Sequence, residues 1–425
     1  MKQKKKLLLV TGAGASLDFG MPSVREAAQI INDVAQTYYP LADRPDTNLY
    51  QHVEGLVNQY WSRYAPRGSR REAQFEDVLY AFFGIAAAHP AGAYTAGLGA
   101  LIEPKSLPAI RPFRGTPRAV NPHDFSFFGA MAVDGLLEEF RGRCKLAAQA
   151  KTREFECLQS FVAALQTRFE IAVVTVNYDN VLYRTLLGIE TGFDHRTRRF
   201  NERRIFERKT WPCMLHLHGS VHFDMPVPNG PDMHEIVWQP DINATFAQNA
   251  AGRGSELQFT PEGAGFPTSA IVAGYGKTTQ ILRRPFRTYY SELDRLVSQC
   301  DAVLIAGYGF GDAHLNIAFE QFRDARRRPV VLIHKANKGD APWGWPDVHG
   351  PIAKAIIHTF HTEVKSTFQS YGNGIFVTVD NLLERKDFAT SNNSDTPLAV
   401  WYNGILQACE NPEKVIAVLE RAAAT

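Results

Sequence analysis

His218 stands at the end of the apolar stretch Leu215-His216-Leu217-His218, directly before Gly219 and Ser220. An imidazole titrates near neutral pH, so a histidine at such a strand end can take a proton from a hydroxyl group. His216, on the same strand face, reads as a buried histidine satisfied by backbone; His216, His218 and His222 together also admit a metal-cluster reading. Asn177 and Asp179 close a second apolar run, Ile171 to Val176. An amide there accepts and donates at once, which suits it to hold a ribose hydroxyl or an attacking water in line with a reacting carbon. The same pair could form a turn that caps a helix expected over 180–187. Gly12-Ala13-Gly14-Ala15-Ser16 follows the first run, Leu7 to Thr11, and lets backbone N–H groups approach a pyrophosphate, although G-x-G alone is also a plain tight turn. Gly307-Tyr308-Gly309 after Ala302 to Ala306 repeats the pattern, with a strand-to-helix turn as its plain alternative.

The elements that must position these groups are buried strands. Leu7–Thr11, Ile171–Val176, Ala302–Ala306 and Pro329–His334 are continuous apolar, β-branched runs of the kind found in parallel sheets; Met214–His218 and Ala270–Ala273 read as shorter strands. Ligands of open α/β sheets collect at the carboxyl ends of strands, where all of these polar residues fall. Helical spacing at Phe75, Val78, Leu79, Phe82 and Phe83, and at Met131, Val133, Leu136, Leu137 and Phe140, marks 41–149 as a helical insertion. Another amphipathic helix carries Phe286, Tyr289, Tyr290, Leu293, Leu296 and Val297. The Phe75-Glu76-Asp77 segment could place carboxylates near the mouth of a pocket, but with Val78 and Leu79 it reads first as an amphipathic helix and is assigned no catalytic role. From Pro342-Trp343-Gly344-Trp345-Pro346 onward the pattern loosens, so 1–40 with 150–340 is expected to form the core and 341–425 a C-terminal extension.

Composition excludes several classes. With 46 basic and 44 acidic side chains the net charge is +2, too small a footprint for nucleic acid, and the Arg-rich segments at 195–209 and 326–328 read as solvated surface. Five cysteines without a C-x-x-C pair indicate reduced thiols in cytosol and no zinc module. No run approaches the roughly 20 apolar residues of a membrane span, and the four-residue run after the N-terminal lysines is too short for a signal peptide. A soluble cytoplasmic protein is expected.

Gly12-Ala13-Gly14-Ala15-Ser16-Leu17-Asp18-Phe19-Gly20-Met21-Pro22-Ser23-Val24-Arg25 resembles, without a gap, the opening G-A-G-I-S-x-E-S-G-I-P-D-F-R of the sirtuins. Thr175-Val176-Asn177-Tyr178-Asp179 is similar to their T-Q-N-I-D, Leu217-His218-Gly219 to their L-H-G, and Gly307-Tyr308-Gly309 stands where they have G-T-S. The resemblance implies a Rossmann-like NAD-binding sheet. Gly12, Ala13, Gly14 and Ser16 would touch the phosphates and ribose, Asp18 would match an acidic position, and Arg25 would lie near the phosphates. Asn177 would position water or a ribose hydroxyl, Asp179 hold the nicotinamide carboxamide, and His218 serve as base. Gly307, Tyr308 and Gly309 would meet ribose and phosphate, and His334 would take the family's Asn position near the adenosine. Ser23 and Val24 replace the family's Asp-Phe pair, and Val176 replaces its Gln.

The implied activity is cleavage of NAD, as substrate, to nicotinamide and ADP-ribose. The missing zinc module argues against protein deacylation, which with ADP-ribosyl transfer is the alternative enzyme reading; a non-catalytic NAD-sensing module is a third. The extended G-Y-x-F-G-D-x-H-x-N form looks like the bacterial sirtuin-like branch of phage-defence operons. That resemblance implies an antiphage effector, a homo-oligomer, and a HerA-type hexameric ATPase as partner.

Overall fold

The computed structural model describes residues 4–64, 72–88, 107–225, 235–246, 257–259, 265–267, 270–273, 280–320, 328–339, 379–390 and 398–420. The apolar runs form the strands β1 (Lys5–Thr11), β2 (Phe169–Thr175), β3 (Met214–His216), β4 (Ala302–Ala306) and β5 (Val330–Ile333). Two more, β6 (Phe388–Thr390) and β7 (Leu398–Trp401), lie near the end of the chain. One seven-stranded sheet has the order β6-β7-β5-β4-β1-β2-β3, parallel except for antiparallel β6. β1 is central: Leu9 aligns with Leu304 on one side and Val173 on the other. Every residue of β4 is buried, so both faces of the sheet are covered, as its unbroken apolar sequence requires.

The fold is mixed α/β with a mostly parallel central sheet. The tail corrects the expected boundary at 341: β7 pairs with β5 in register from Val330–Leu398 to Ile333–Trp401, so this part of the expected extension completes the sheet. Its short strand carries only four residues, too few to show a period against a polar flank. The Pro342–Pro346 and Ser391–Asp395 segments lie outside the described residues.

Helix α1 (Val24–Tyr38) starts in a capping box, Ser23 Oγ accepting from Glu26 N at 3.2 Å while Glu26 Oε2 accepts from Ser23 N at 2.8 Å. The expected insertion contains α2 (Leu49–Tyr64), α3 (Phe75–Ala88) and the long α4 (Pro122–Ala150). Phe82 of α3 meets Phe125 and Phe128 of α4 at 5.3 and 4.7 Å between ring centres, and these helices share one apolar core with the sheet. α5 (Thr152–Arg168), α6 (Phe286–Gln299), α7 (Ala313–Phe319), α8 (Gly404–Cys409) and α9 (Pro412–Glu420) complete the elements used below. The amphipathic run at 286–297 is α6, with Phe286, Tyr289, Leu293, Leu296 and Val297 buried.

Two local expectations fail. The segment 180–187 holds only a 3-10 turn, Tyr183–Thr185, while Asp179 Oδ1 accepts from Val181 N two residues on and so forms the turn that the pair was expected to make. Ala270–Ala273 is buried but joins no strand; its backbone serves as a clamp, Val272 N donating to His218 O at 2.8 Å and Val272 O accepting from Tyr178 Oη at 3.2 Å.

Candidate active site

The carboxyl ends of β1, β2, β3 and β4 converge on a cavity of about 260 Å³. Asn177, Tyr178 and Asp179 enter it from β2, His218 from β3, Ala13 and Ser16 from β1, and Tyr308, Gly309 and Asp312 from β4. The sheet order alone brings these loops together, since β4, β1, β2 and β3 are successive neighbours.

Asn177 is held from two sides, its Nδ2 donating to Gly12 O at 2.9 Å and to Ser16 Oγ at 3.1 Å. Its side-chain Oδ1 is thereby oriented while the amide hydrogens are spent on the glycine loop. Asp179 is buried beside it, and burial raises its pKa, opposed by hydrogen bonds from the Val181 amide and the Ser16 hydroxyl. His218 Nε2 lies 2.7 Å from Asp312 Oδ2, both side chains being almost wholly enclosed. Gly219 after it has φ +104, and a Cβ there would stand 2.6 Å from Ala270 O, so only glycine lets the chain turn away against the 270–273 clamp.

The glycine turns lock onto each other. Gly12 N donates to Ala306 O, Gly14 N to Gly307 O, Ala15 N to Gly12 O and Ser16 N to Ala13 O, so these four amides are engaged inside the protein. A Cβ on Gly307, where φ is +61, would fall 2.0 Å from Ala15 N; one on Gly12 would fall 2.7 Å from Tyr308 Cα. Gly12, Gly14 and Gly307 thus let two turns interlock and set the ends of β1 and β4 against each other.

Three further expected binding residues, like Gly12, Gly14 and Gly307, do not line this cavity. Asp18 is in an ion pair with Lys335 at 2.6 Å, Arg25 is exposed on the first turn of α1, and His334 donates its backbone N–H to Trp401 O beside β7. Ser23 is the cap of α1 and lines the cavity with Val24.

Sequence reasoning missed two contributions. Gln74, Phe75 and Glu76 at the start of α3, with Phe140 of α4, wall the cavity, so the insertion is part of the site. Only long-range packing places them there, although the Phe75-Glu76 pairing of an apolar and an acidic residue at a helix start was a visible signal. Asp312 was quoted within its motif without a role; its legible mark was its position as a helix N-cap, which it is, Oδ1 accepting from Leu315 N at 3.0 Å.

His216 and His222 do not join His218 as ligands. His216 is fully buried, its ring nitrogens have no hydrogen-bond partner among the described residues, and it packs against Tyr183, Phe223 and Trp238; burial, with the charge of His222, lowers its pKa to about 3. The reading of His216 as satisfied by backbone is therefore corrected. His222 stacks on Trp238 at 4.6 Å with Nδ1 donating to Gln239 O, and burial lowers its pKa to about 4. Among the described residues no group of three His, Cys, Asp or Glu side chains could hold a metal, and no helix is long and apolar enough to cross a membrane.

Fold and site define an α/β protein with a partly open cavity over the carboxyl ends of a mostly parallel sheet, carrying an amide, carboxyl groups and an imidazole. Residues 171–345 match the family model of the SIR2-like domain, a span that contains Asn177, Asp179, His218, Gly307 and Asp312 but not the glycine loop at 12–16. No curated protein matches the chain. Solved structures similar to it include a Sir2 homolog in complex with NAD, at 14% identity over 79% of this chain and 80% of that one, TM-score 0.29. Another is Sir2Tm bound to a propionylated peptide, at 9% identity over 80% and 84%, TM-score 0.30.

Proposed function

We propose that the chain is an NAD glycohydrolase, releasing nicotinamide and ADP-ribose. The observation that carries this reading is the enclosure of Asn177, Asp179 and His218 in one cavity at neighbouring strand ends, within a span that matches a SIR2-like domain. Among the described residues the cavity lining includes the carboxyl groups of Glu76, Asp179 and Asp312 and no Lys or Arg. Such a wall suits the positive charge carried by the nicotinamide ring and passed to the ribose as the ring leaves.

In the reaction, the electron pair of the bond between the ribose carbon and the ring nitrogen goes to nicotinamide, which departs neutral. Water forms the new bond to that carbon, and its proton passes to His218 and then to solvent. Asn177 Oδ1 orients the water or a ribose hydroxyl, and Asp179 accepts a hydrogen bond from the carboxamide. The interlocked amides of the glycine loop leave the diphosphate to groups other than those of Gly12, Gly14, Ala15 and Ser16. The lack of any C-x-x-C pair supports hydrolysis over deacylation.

An ungated enzyme of this kind would drain the cell's NAD, so the same proposal includes control by assembly: a cytoplasmic antiphage effector, homo-oligomeric and switched with a HerA-type hexameric ATPase. The test is incubation of purified protein with NAD, with and without such an ATPase, and chromatography of the products. Nicotinamide and ADP-ribose are expected in equal amounts without any peptide. Turnover only with an acylated peptide would transfer the chain to the deacylases, and binding without turnover would make it a sensor. Full turnover by a dilute monomer, indifferent to the ATPase, would remove the gating.

A further inference from the structure

We propose that Asp312 is the positioning residue of His218, and that the pair fixes Nδ1 as the nitrogen that takes the proton. This rests on the hydrolase reading above and specifies how its base is prepared. A carboxylate only accepts hydrogen bonds, so Asp312 Oδ2 at 2.7 Å requires the hydrogen of a neutral imidazole to sit on Nε2. The lone pair then remains on Nδ1, which has no hydrogen-bond partner among the described residues, while His218 lines the cavity. When Nδ1 is protonated, the imidazolium faces a carboxylate in a buried site, where their attraction is little screened.

The carboxylate is itself held rigidly. Its other oxygen, Oδ1, caps α7 through Leu315 N. Its backbone is gripped by Tyr308: Asp312 N donates to the phenol oxygen at 3.3 Å, and the phenol hydroxyl lies 3.1 Å from Asp312 O and 2.9 Å from Asn316 Oδ1. Asn316 Nδ2 donates in turn to Phe310 O at 2.8 Å, across a turn in which Phe310 takes a left-handed φ of +56. Tyr308, Asp312 and Asn316 form a bracket, and the G-Y-G-F-G-D-x-H-x-N stretch has a purpose its glycines alone do not reveal. It presents one carboxylate oxygen to an imidazole 94 residues away in sequence. Tyr178, Asp179 and Glu76 are the other titratable groups lining the cavity that His218 shares.

Two substitutions separate this role from plain helix capping. Asp312→Ser keeps a side-chain oxygen for Leu315 N–H but has no second oxygen for Nε2. Asp312→Asn keeps the shape and can donate to Nε2, forcing the hydrogen onto Nδ1. In both, kcat for nicotinamide release is expected to fall about 100-fold or more with KM changed less than about twofold. Imidazole ¹⁵N spectra of the unliganded protein should show the Nε2–H form of His218 in the wild type and its loss in both variants. Retention of kcat in Asp312→Ser, or an unchanged His218 tautomer in both variants, would overturn the proposal. A wild type that releases no nicotinamide would end the hydrolase reading, whereas the tautomer spectra decide the pairing by themselves.

Discussion

His216 and His218 leave the same strand two residues apart, yet they occupy opposite chemical settings. The region around His218 is polar and concave: Asp312 faces its ring, and Asn177 and Asp179 share its cavity. The region around His216 is a closed aromatic box of Tyr183, Phe223 and Trp238, where the imidazole is held far below its usual pKa. The contrast teaches that a histidine is made reactive by a partnered, accessible environment, and that burial without a partner makes it inert packing.

The comparison breaks most visibly at His218. His218→Ala should lower nicotinamide release by about 10³-fold in a chain that still folds, with some loss of thermal midpoint because buried Asp312 Oδ2 loses its partner, measured by product chromatography and calorimetry. Near-normal turnover would remove it from the mechanism. Asn177→Ala should cost about 100-fold in kcat, and also some stability, because Gly12 O and Ser16 Oγ lose their donor.

His216→Ala should reverse the pattern, keeping activity while losing roughly 2 to 4 kcal/mol of stability through the cavity left in the aromatic box. His216→Phe sharpens the point through pH. His216 titrates at about 3 when folded, against an ordinary histidine value when unfolded, so between those values the unfolded chain binds the extra proton. Stability therefore falls as pH drops below about 6.5, with His216 contributing about 2 kcal/mol of that loss by pH 5. A His216→Phe variant should show a flatter acid-side melting profile, with the share due to His222 remaining. An unchanged profile would mean that the ring is hydrated or paired. The smallest expected effect is that of a chelator: EDTA should leave the rate unaltered, and elemental analysis should find no stoichiometric zinc. One zinc per chain would reopen a ligand role for His216 and His222.

The strands and their carboxyl ends were legible because buried parallel strands write continuous β-branched runs, and Asn177, Asp179, Ser16 and His218 do meet in one cavity. What was illegible depends on distant partners. Asp18 stands beside Lys335, 317 residues away, and pairs with it; His334 is drawn to Trp401 on a strand too short to announce itself. The glycines mark close approach, and the approach seen is of one turn to another, Gly12 and Gly14 against Gly307 and Tyr308. The walls from α3 and α4 follow from tertiary packing, which periodicity in one segment does not encode.

The interlock of Gly12 and Gly14 with Gly307 also sets a timetable. β1, Lys5–Thr11, leaves the ribosome long before its neighbour β4, Ala302–Ala306, and Asp312 follows β4. A contact of that span is slow to form and cannot form until the later partner exists. A growing chain that has reached Asn177 and His218 therefore still lacks both the turn that locks the glycine loop and the carboxylate that orients the imidazole. The cavity is incomplete during synthesis, by the topology of its own sheet.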